Sequence, residues 1–319
     1  MKISVKFIRY SVLLFVPVLL AISCNTGIES TKAITMSRSE RRETMPGAEE
    51  RMSAQITSEP LGEWRAGKKF LISDNKASVL LERQSYAHNF SATDSIVGTV
   101  LSFERVSSRL TPGGDTVAII EFRGDRCAYL YNTSRNLRDA LHSFKGQDMP
   151  MMIDLDMVAS ADSLLRGRKV WTRSRLWYDS VGNIVDGRKF DPVTITRIRP
   201  GNMVFPLAVE FTDENRESAT MFMNVSSSDG IGAESRTFQS LFILEDPRQL
   251  YSSVSPEIWE NIKTGRVSVG MTKEECRLSL GNPSEVDAGH NWSSVIDIWR
   301  YRDGTYLQFQ DGLLVNYRH

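Results

Sequence analysis

One stretch near the C-terminus dictates its own structure almost residue by residue: Gly265-Arg-Val-Ser-Val-Gly-Met-Thr-Lys-Glu-Glu-Cys-Arg-Leu-Ser-Leu-Gly-Asn-Pro283. Thr272 and Glu275 have the T-x-x-E spacing of a capping box, in which each side chain satisfies a free backbone N–H at a helix start. Met271 before the cap and Cys276 four positions after it have the spacing of a hydrophobic staple. Gly281 then stops the helix in a left-handed turn, and Pro283 keeps it from resuming. A short helix between two glycines is predicted, with strands to follow.

Just upstream, Ser255 as N-cap and Pro256 at the first helical position start another helix, with Ile258, Trp259 and Ile262 on one face and Gly265 closing it. Downstream, the runs 294–301, 306–310 and 313–317 are separated by Asp303-Gly304 and Asp311-Gly312, a strong hairpin signal. Val295, Asp297, Trp299 and Tyr301 share one strand face, and Ile296 and Ile298 the other. Two helices and a three-stranded antiparallel meander therefore form a small α+β domain. The run Val269-Gly-Met-Thr-Lys-Glu-Glu-Cys-Arg277, Leu280-Gly-Asn-Pro283, Trp299-Arg-Tyr301 and Tyr306-Leu-Gln-Phe-Gln-Asp-Gly312 resembles the BamE/SmpA-like domain of envelope lipoproteins. Cys276 stands where many members of that family have Val. The resemblance covers about residues 255 to 319 and implies a non-catalytic lipoprotein module. Fold alone does not carry a partner or pathway with it.

The N-terminus has matching features. Lys2, Lys6 and Arg9 form a positive region before an apolar run from Ser11 to Ile22, interrupted by Pro17. That run is shorter than the roughly 20 residues of a spanning helix and has the layout of a secretory signal. It ends in Leu20-Ala-Ile-Ser-Cys24, which resembles a bacterial lipobox and by that resemblance makes Cys24 the lipidated, palmitate-bearing first residue of the mature chain. The alternative is an ordinary signal cleaved nearby, with Cys24 incidental. Acyl chains contribute about 0.8 kcal/mol per buried methylene, so a multiply acylated Cys24 anchors stably. Asn25 after the cysteine favours the outer membrane by lipoprotein sorting, and the lack of a dense acidic run favours the periplasmic side. Residues 25 to about 60 are rich in Ser, Thr, Glu and Arg, cannot bury enough apolar surface to offset ordering entropy, and read as a flexible tether.

The middle of the chain contains a faint duplication. Gly67–Asp74 echoes Gly167–Ser174, Ser102–Val106 echoes Thr194–Ile198, Ala118–Phe122 echoes Ala208–Phe211, and Tyr129–Ser134 echoes Phe222–Ser226. Each block is short and rich in β-branched and aromatic residues, and turn clusters such as Thr111-Pro-Gly-Gly-Asp115 and Arg199-Pro-Gly-Asn202 divide them. Each copy reads as about five strands in a small barrel or strongly bent sheet, and the pattern is similar to the Src-homology-type barrels of bacterial envelope proteins. Between the copies, Leu137, Ala140, Leu141 and Phe144 line one face of a helix. Met149, Met151 and Met152 lie in a connector that fills core gaps.

The predicted fold class is multi-domain and mainly β: two tandem small β-barrel-like domains followed by the C-terminal α+β domain. The boundaries are a signal peptide at 1–23, tether 24–60, first β domain 61–134, helical connector 135–165, second β domain 166–250 and BamE/SmpA-like domain 251–319.

Composition gives no lead to a charged partner: 39 basic residues balance 39 acidic ones in 319, so no net field points to nucleic acid. His88, His142, His290 and His319 lack metal-ligand spacing, so no metal or cofactor is expected. Cys127 shares a strand face with Tyr129 and Tyr131 and reads as core, with a nucleophile paired to a distant His as the weaker alternative. No nucleophile elbow or phosphate-binding loop is present, so an enzyme is not expected. One stretch, Arg166 to Tyr178, interleaves cations with aromatics. On a continuous strand Lys169, Trp171, Arg173, Arg175 and Trp177 share one side, and Trp171, Arg173, Arg175 and Trp177 are the candidate ligand-binding residues for cell-wall glycan or peptide. The alternative is a strand with aromatics inward and arginines solvated. The function that follows is a non-enzymatic, lipid-anchored outer-membrane protein acting by protein–protein contact or scaffolding, with the ligand-binding module as the alternative.

Overall fold

Three antiparallel sheets carry the chain in the computed structural model, which describes residues 47–85, 95–125, 127–225, 236–291 and 294–318. The expected signal sequence, Cys24, His88 and His319 lie outside them. Helix α1 (Ala48–Gln55) precedes the first sheet, built from β1 (Lys69–Ile72), β2 (Leu81–Ser85), β3 (Val100–Leu110), β4 (Thr116–Arg123), β5 (Cys127–Asn132) and, after helix α2 (Leu137–Ser143), β6 (Met152–Asp154). The strand order is β2-β5-β4-β3-β1-β6. Helix α3 (Leu155–Leu165) leads into the second sheet: β7 (Lys169–Thr172), β8 (Leu176–Tyr178), β9 (Ile184–Asp186), β10 (Pro192–Pro200), β11 (Leu207–Thr212), β12 (Ser218–Met223) and β13 (Phe242–Ile243). Its order, β13-β7-β10-β11-β12-β8-β9, is that of the first sheet read backwards, with β9 added at the end.

The match extends to the ladder. Gly67 N–H donates to the Phe103 carbonyl and Gly167 N–H to that of Ile195, at 2.8 and 2.7 Å. One step further both long strands bulge, between Phe103 and Arg105 and between Ile195 and Arg197. A bulge adds local twist, so both sheets bend at the same place. They curl without closing: among the described residues no pairing joins the end strands β2 and β6 of the first sheet or β13 and β9 of the second. Three of the echoed blocks occupy equivalent ladder positions, the third matched at its closing Glu-Phe. The fourth is displaced: Tyr131 faces Ile120 and Met221 faces Val209, so Tyr131 corresponds to Met221 and not Met223. A slip of two residues keeps every side chain on its own face, so the hydrophobic pattern alone does not reveal it.

The first core holds Trp64, Phe70, Leu101, Phe103, Ile120, Phe122 and Phe144, with Phe70 and Phe122 edge-on at 5.4 Å. Cys127 is buried there with Tyr129 and Tyr131. The second core lies under α3, whose Met157, Val158, Ala161 and Leu165 pack on Ile195, Phe211 and Phe242. Met149 and Met152 fill the first core and Met157 the second. The expected tether is corrected from residue 48 onward. Met52 on α1 and Ile56, the residue that caps its C-terminus, enter the second core, and Glu49 Oε1 accepts the Leu244 N–H at 3.0 Å. Two apolar residues at helical spacing are too weak a signal against that polar composition.

Helices α4 (Pro256–Thr264) and α5 (Lys273–Leu280) precede the third sheet, β14 (Glu285–Asn291), β15 (Ser294–Arg300), β16 (Tyr306–Gln310) and β17 (Leu313–Arg318), paired in sequence order. Four strands replace the expected three. The added β14, Glu-Val-Asp-Ala-Gly-His-Asn, is poor in strand-forming residues. The α5 start is as the spacing requires: Thr272 Oγ1 accepts the Glu275 N–H at 3.2 Å and Glu275 Oε2 accepts the Thr272 N–H at 2.7 Å. Gly281, at φ 87° and ψ −167°, is extended with positive φ and not in the left-handed turn expected. Met271 and Cys276 are fully buried beside Trp299 and Phe309.

Burial, then the charge of Glu275, pushes the Cys276 thiol from 9.0 up to about 12. Below pH 9.0 this leaves stability untouched; above it the unfolded chain sheds a proton that the folded chain keeps, so stability falls as pH rises toward about 12. Cys276→Val should change stability at neutral pH by less than about 1.5 kcal/mol. It should also flatten the decline that urea unfolding reads above pH 9.0. An unchanged slope would place the titration elsewhere.

Candidate functional site

The residues expected to share one strand face are separated. β7 ends at Thr172, the chain turns through Arg173, Ser174 and Arg175, and β8 resumes at the far end of the sheet, four positions along the ladder. Trp171 is half-buried against the third core, with Lys169 Nζ 5.7 Å from its ring centre. Arg173 is exposed. Arg175 pairs with Asp186 and its Nε donates to the Gly187 carbonyl. Trp177 is buried edge-on to Phe211 at 5.1 Å, and its Nε1 donates to the Ser174 carbonyl at 2.9 Å. Among the described residues, the cleft that Trp177 lines includes neither Trp171 nor Arg173. The stretch from Arg168 to Tyr178 has no Gly or Pro to mark the corner, so alternation reads across it.

What sequence reasoning passed over is the segment Asp186-Gly-Arg-Lys-Phe-Asp191, which fastens the second sheet to α4 and α5. Arg188 pairs with Glu260 at 2.5 Å and with Asp191 at 3.2 Å, and Lys263 also pairs with Asp191. Lys189 Nζ donates to the carbonyls of Leu278 and Ser279 at 3.2 and 2.5 Å, where a cation complements the C-terminal end of α5. Phe190, at φ 56°, stacks on Trp259 with centroids 5.3 Å apart. Gly187 lies flat on the Trp177 indole, where any Cβ would collide with the ring.

Beside this clamp is a cleft of about 550 Å³ floored by Trp177 and Pro192. Its carboxylates are Asp179, Asp186, Asp191, Asp213, Glu214 and Glu217, six against the two cations Arg188 and Lys263. The Asn183 N–H, helped by those of Val181 and Gly182, holds the Asp179 carboxyl below its ordinary range. The chemistry of such a wall suits a ligand with ammonium groups.

A second charged site sits where the two β sheets meet. Lys68, just before β1, is 5 % exposed, and its Nζ lies 3.0 Å from Asp154, 3.3 Å from Glu59 and 3.4 Å from Asp156. Burial is the largest single influence on this amine and lowers its pKa, but Asp154 and then Glu59 and Asp156 outweigh it, so the net direction is upward. A lysine base or nucleophile needs the opposite shift. Lys68 is an ammonium strut beside a cavity of about 640 Å³. Asp154 is fully inside: its Oδ1 caps α3 by accepting the N–H groups of Asp156 and Met157, and its Oδ2 abuts Gly146, where a Cβ would come within 2.5 Å.

Cys127 and Cys276 are buried free thiols, and no cluster of three metal-ligating side chains exists among the described residues. Comparison with known proteins gives no match, whether to a family model, a curated protein or a solved structure.

Removing one partner of a buried pair leaves the other charge uncompensated. Asp154→Ala should therefore cost about 3–5 kcal/mol of stability, and Lys68→Met a comparable amount. Their double variant should cost less than the sum by about 0.5–3 kcal/mol, read from a denaturation double-mutant cycle. Additive losses would show that the two charges stand apart in solution.

Proposed function

We propose that this chain is a non-enzymatic, lipid-anchored cell-envelope protein that acts through protein–protein contact or scaffolding at the periplasmic side of the outer membrane. The observation that carries the reading is the closing module. Its capping box, its buried Met271–Cys276 staple and two helices on an antiparallel sheet support the BamE/SmpA-like resemblance. The two curled sheets of common strand order support a description as two tandem barrel-like domains ahead of it. The lipobox-like Leu20-Ala-Ile-Ser-Cys24 supports the anchor. Exposed Val286, Val295, Leu313, Val315 and Tyr317 on the third sheet offer apolar surface to a partner. Cys24→Ala should abolish metabolic palmitate labelling and move the protein from the membrane fraction to the soluble one. Retention with membranes would sink the anchor.

A second reading, a module for a cell-wall peptide on the second β domain, is favoured by the six-carboxylate cleft over Trp177. It replaces the four-residue aromatic–arginine face with a site for ammonium-bearing ligands. Glu214→Gln combined with Glu217→Gln should weaken binding of a lysine-containing wall peptide roughly tenfold in calorimetric titration, about 1.4 kcal/mol. Equal binding by both proteins would discard this reading.

A further inference from the structure

The third sheet leaves one long edge open. β14 pairs with β15 along its whole length, and on its other side no described strand bonds it. Glu285 through Gly289 are all exposed, so neither face of the strand is covered. Backbone direction along this edge follows from two hydrogen bonds. Asp311 N–H donates to the Val295 carbonyl, so Val295 points its backbone groups toward β16, and Asp297 and Trp299 do so by alternation. Ile296, Ile298 and Arg300 therefore bond β14, in agreement with the Ser284 N–H donated to the Arg300 carbonyl at 2.8 Å. Their partners Gly289, Asp287 and Glu285 point inward. The N–H and C=O groups of Val286, Ala288 and His290 are left along the open edge.

We infer that this edge is a self-association surface, on which two copies of the chain join β14 to β14, antiparallel about Ala288, and make one eight-stranded sheet from two four-stranded ones. The register follows from the residues. Centred on Ala288, Val286 of one copy meets His290 of the second and Ala288 meets Ala288, so the residues with unpaired backbone groups face one another and all six groups bond. The intervening pairs set Asp287 against Gly289 and Glu285 against Asn291, and no carboxylate faces another. Moving the centre to Asp287 opposes the two Asp287 carboxylates, which is destabilising. Moving it to Gly289 leaves Val286 without a bonding partner. Moving it by half a residue sets free groups against bonded ones. Glu285 and Asp287 both pair within their own chain with Arg300, which offsets one of the two charges, so each edge brings a single net negative charge to the contact. Exposed edges of this kind template pairing with another chain. The inference requires neither the anchor nor the family resemblance, only the third sheet.

The test uses the full chain. Directly opposed, hydrogen-bonded residues have Cα atoms about 5.5 Å apart, inside the disulfide range of roughly 4.4–6.8 Å. Ala288→Cys should thus give a covalent dimer on mild oxidation, read on a non-reducing gel. Glu285→Cys, whose two copies would lie six positions or about 20 Å apart along the strands, should match the parental chain. Ala288→Pro removes only an outward N–H, so it should abolish the dimer in sedimentation while keeping the parental circular dichroism. A parental chain that is monomeric at every soluble concentration overturns the inference. So does an Ala288→Pro variant that still dimerises, or equal crosslinking at residues 285 and 288.

Discussion

The buried contact between Lys68 and Asp154 is the point from which the two β sheets hang. Asp154 ends β6 of the first sheet, caps α3 of the second core, and compensates the lysine that introduces β1. Burying either ion alone costs several kcal/mol, so the arrangement is stable only with every partner in place. The second sheet has no such need. Arg168 stands where Lys68 does, but it is exposed and its Nε donates to the Leu164 carbonyl at 2.6 Å. Leu244, after β13, takes the place of Asp154 and uses its N–H to hold Glu49 of α1. The two copies thus share a ladder and differ at the joint: one exports a carboxylate to the helix that follows it, the other imports a helix that precedes the first sheet.

A similar division explains why the aromatic–arginine stretch does not present one continuous strand face. Once the Asp186–Asp191 segment fastens the second sheet to α4 and α5, Trp171 is covered by the closing module and Arg175 is tied to Asp186. Trp177 keeps one edge at the cleft, where carboxylates and not arginines dominate the wall. The sign of the site is therefore opposite to that expected from the strand read in isolation. Local composition reported the cations; packing ties Arg166, Lys169 and Arg175 to carboxylates and leaves Arg173 exposed.

What was legible in the sequence is what local chemistry decides. Thr272, Glu275, Met271 and Cys276 are placed by spacing alone, as are Ser255 and Pro256, because caps and staples involve residues within one turn. The duplication was legible wherever a glycine or a charged residue punctuated the apolar pattern, as at Gly67 and Gly167, and slipped by two where Tyr129 to Ser134 offered only alternation. Long-range effects were not legible. Helix α1 exists because Met52 and Ile56 find a core whose other buried residues begin at Ile153. β14 exists because β15 offers it a ladder, against its own weak propensity.

The direction of the electrostatic shifts carries the same message as the packing. Proton-transfer chemistry at neutral pH needs groups moved toward pH 7. Among the described residues the resolved shifts run the other way. Burial raises Tyr129 to about 12, raises Tyr131 and Tyr301, and with Glu275 raises Cys276, while neighbouring carboxylates raise Lys68. Burial works to raise Asp162, but the Ile198 N–H and Arg166 outweigh it and the net direction is down, and backbone N–H donors lower Asp179. Each group is thereby fixed more firmly in the protonation state it already has at neutral pH. Charges and hydroxyls so held brace the packing around them. The open edge of the third sheet and the acidic cleft, rather than any buried thiol or amine, are where we propose that the chain makes its contacts.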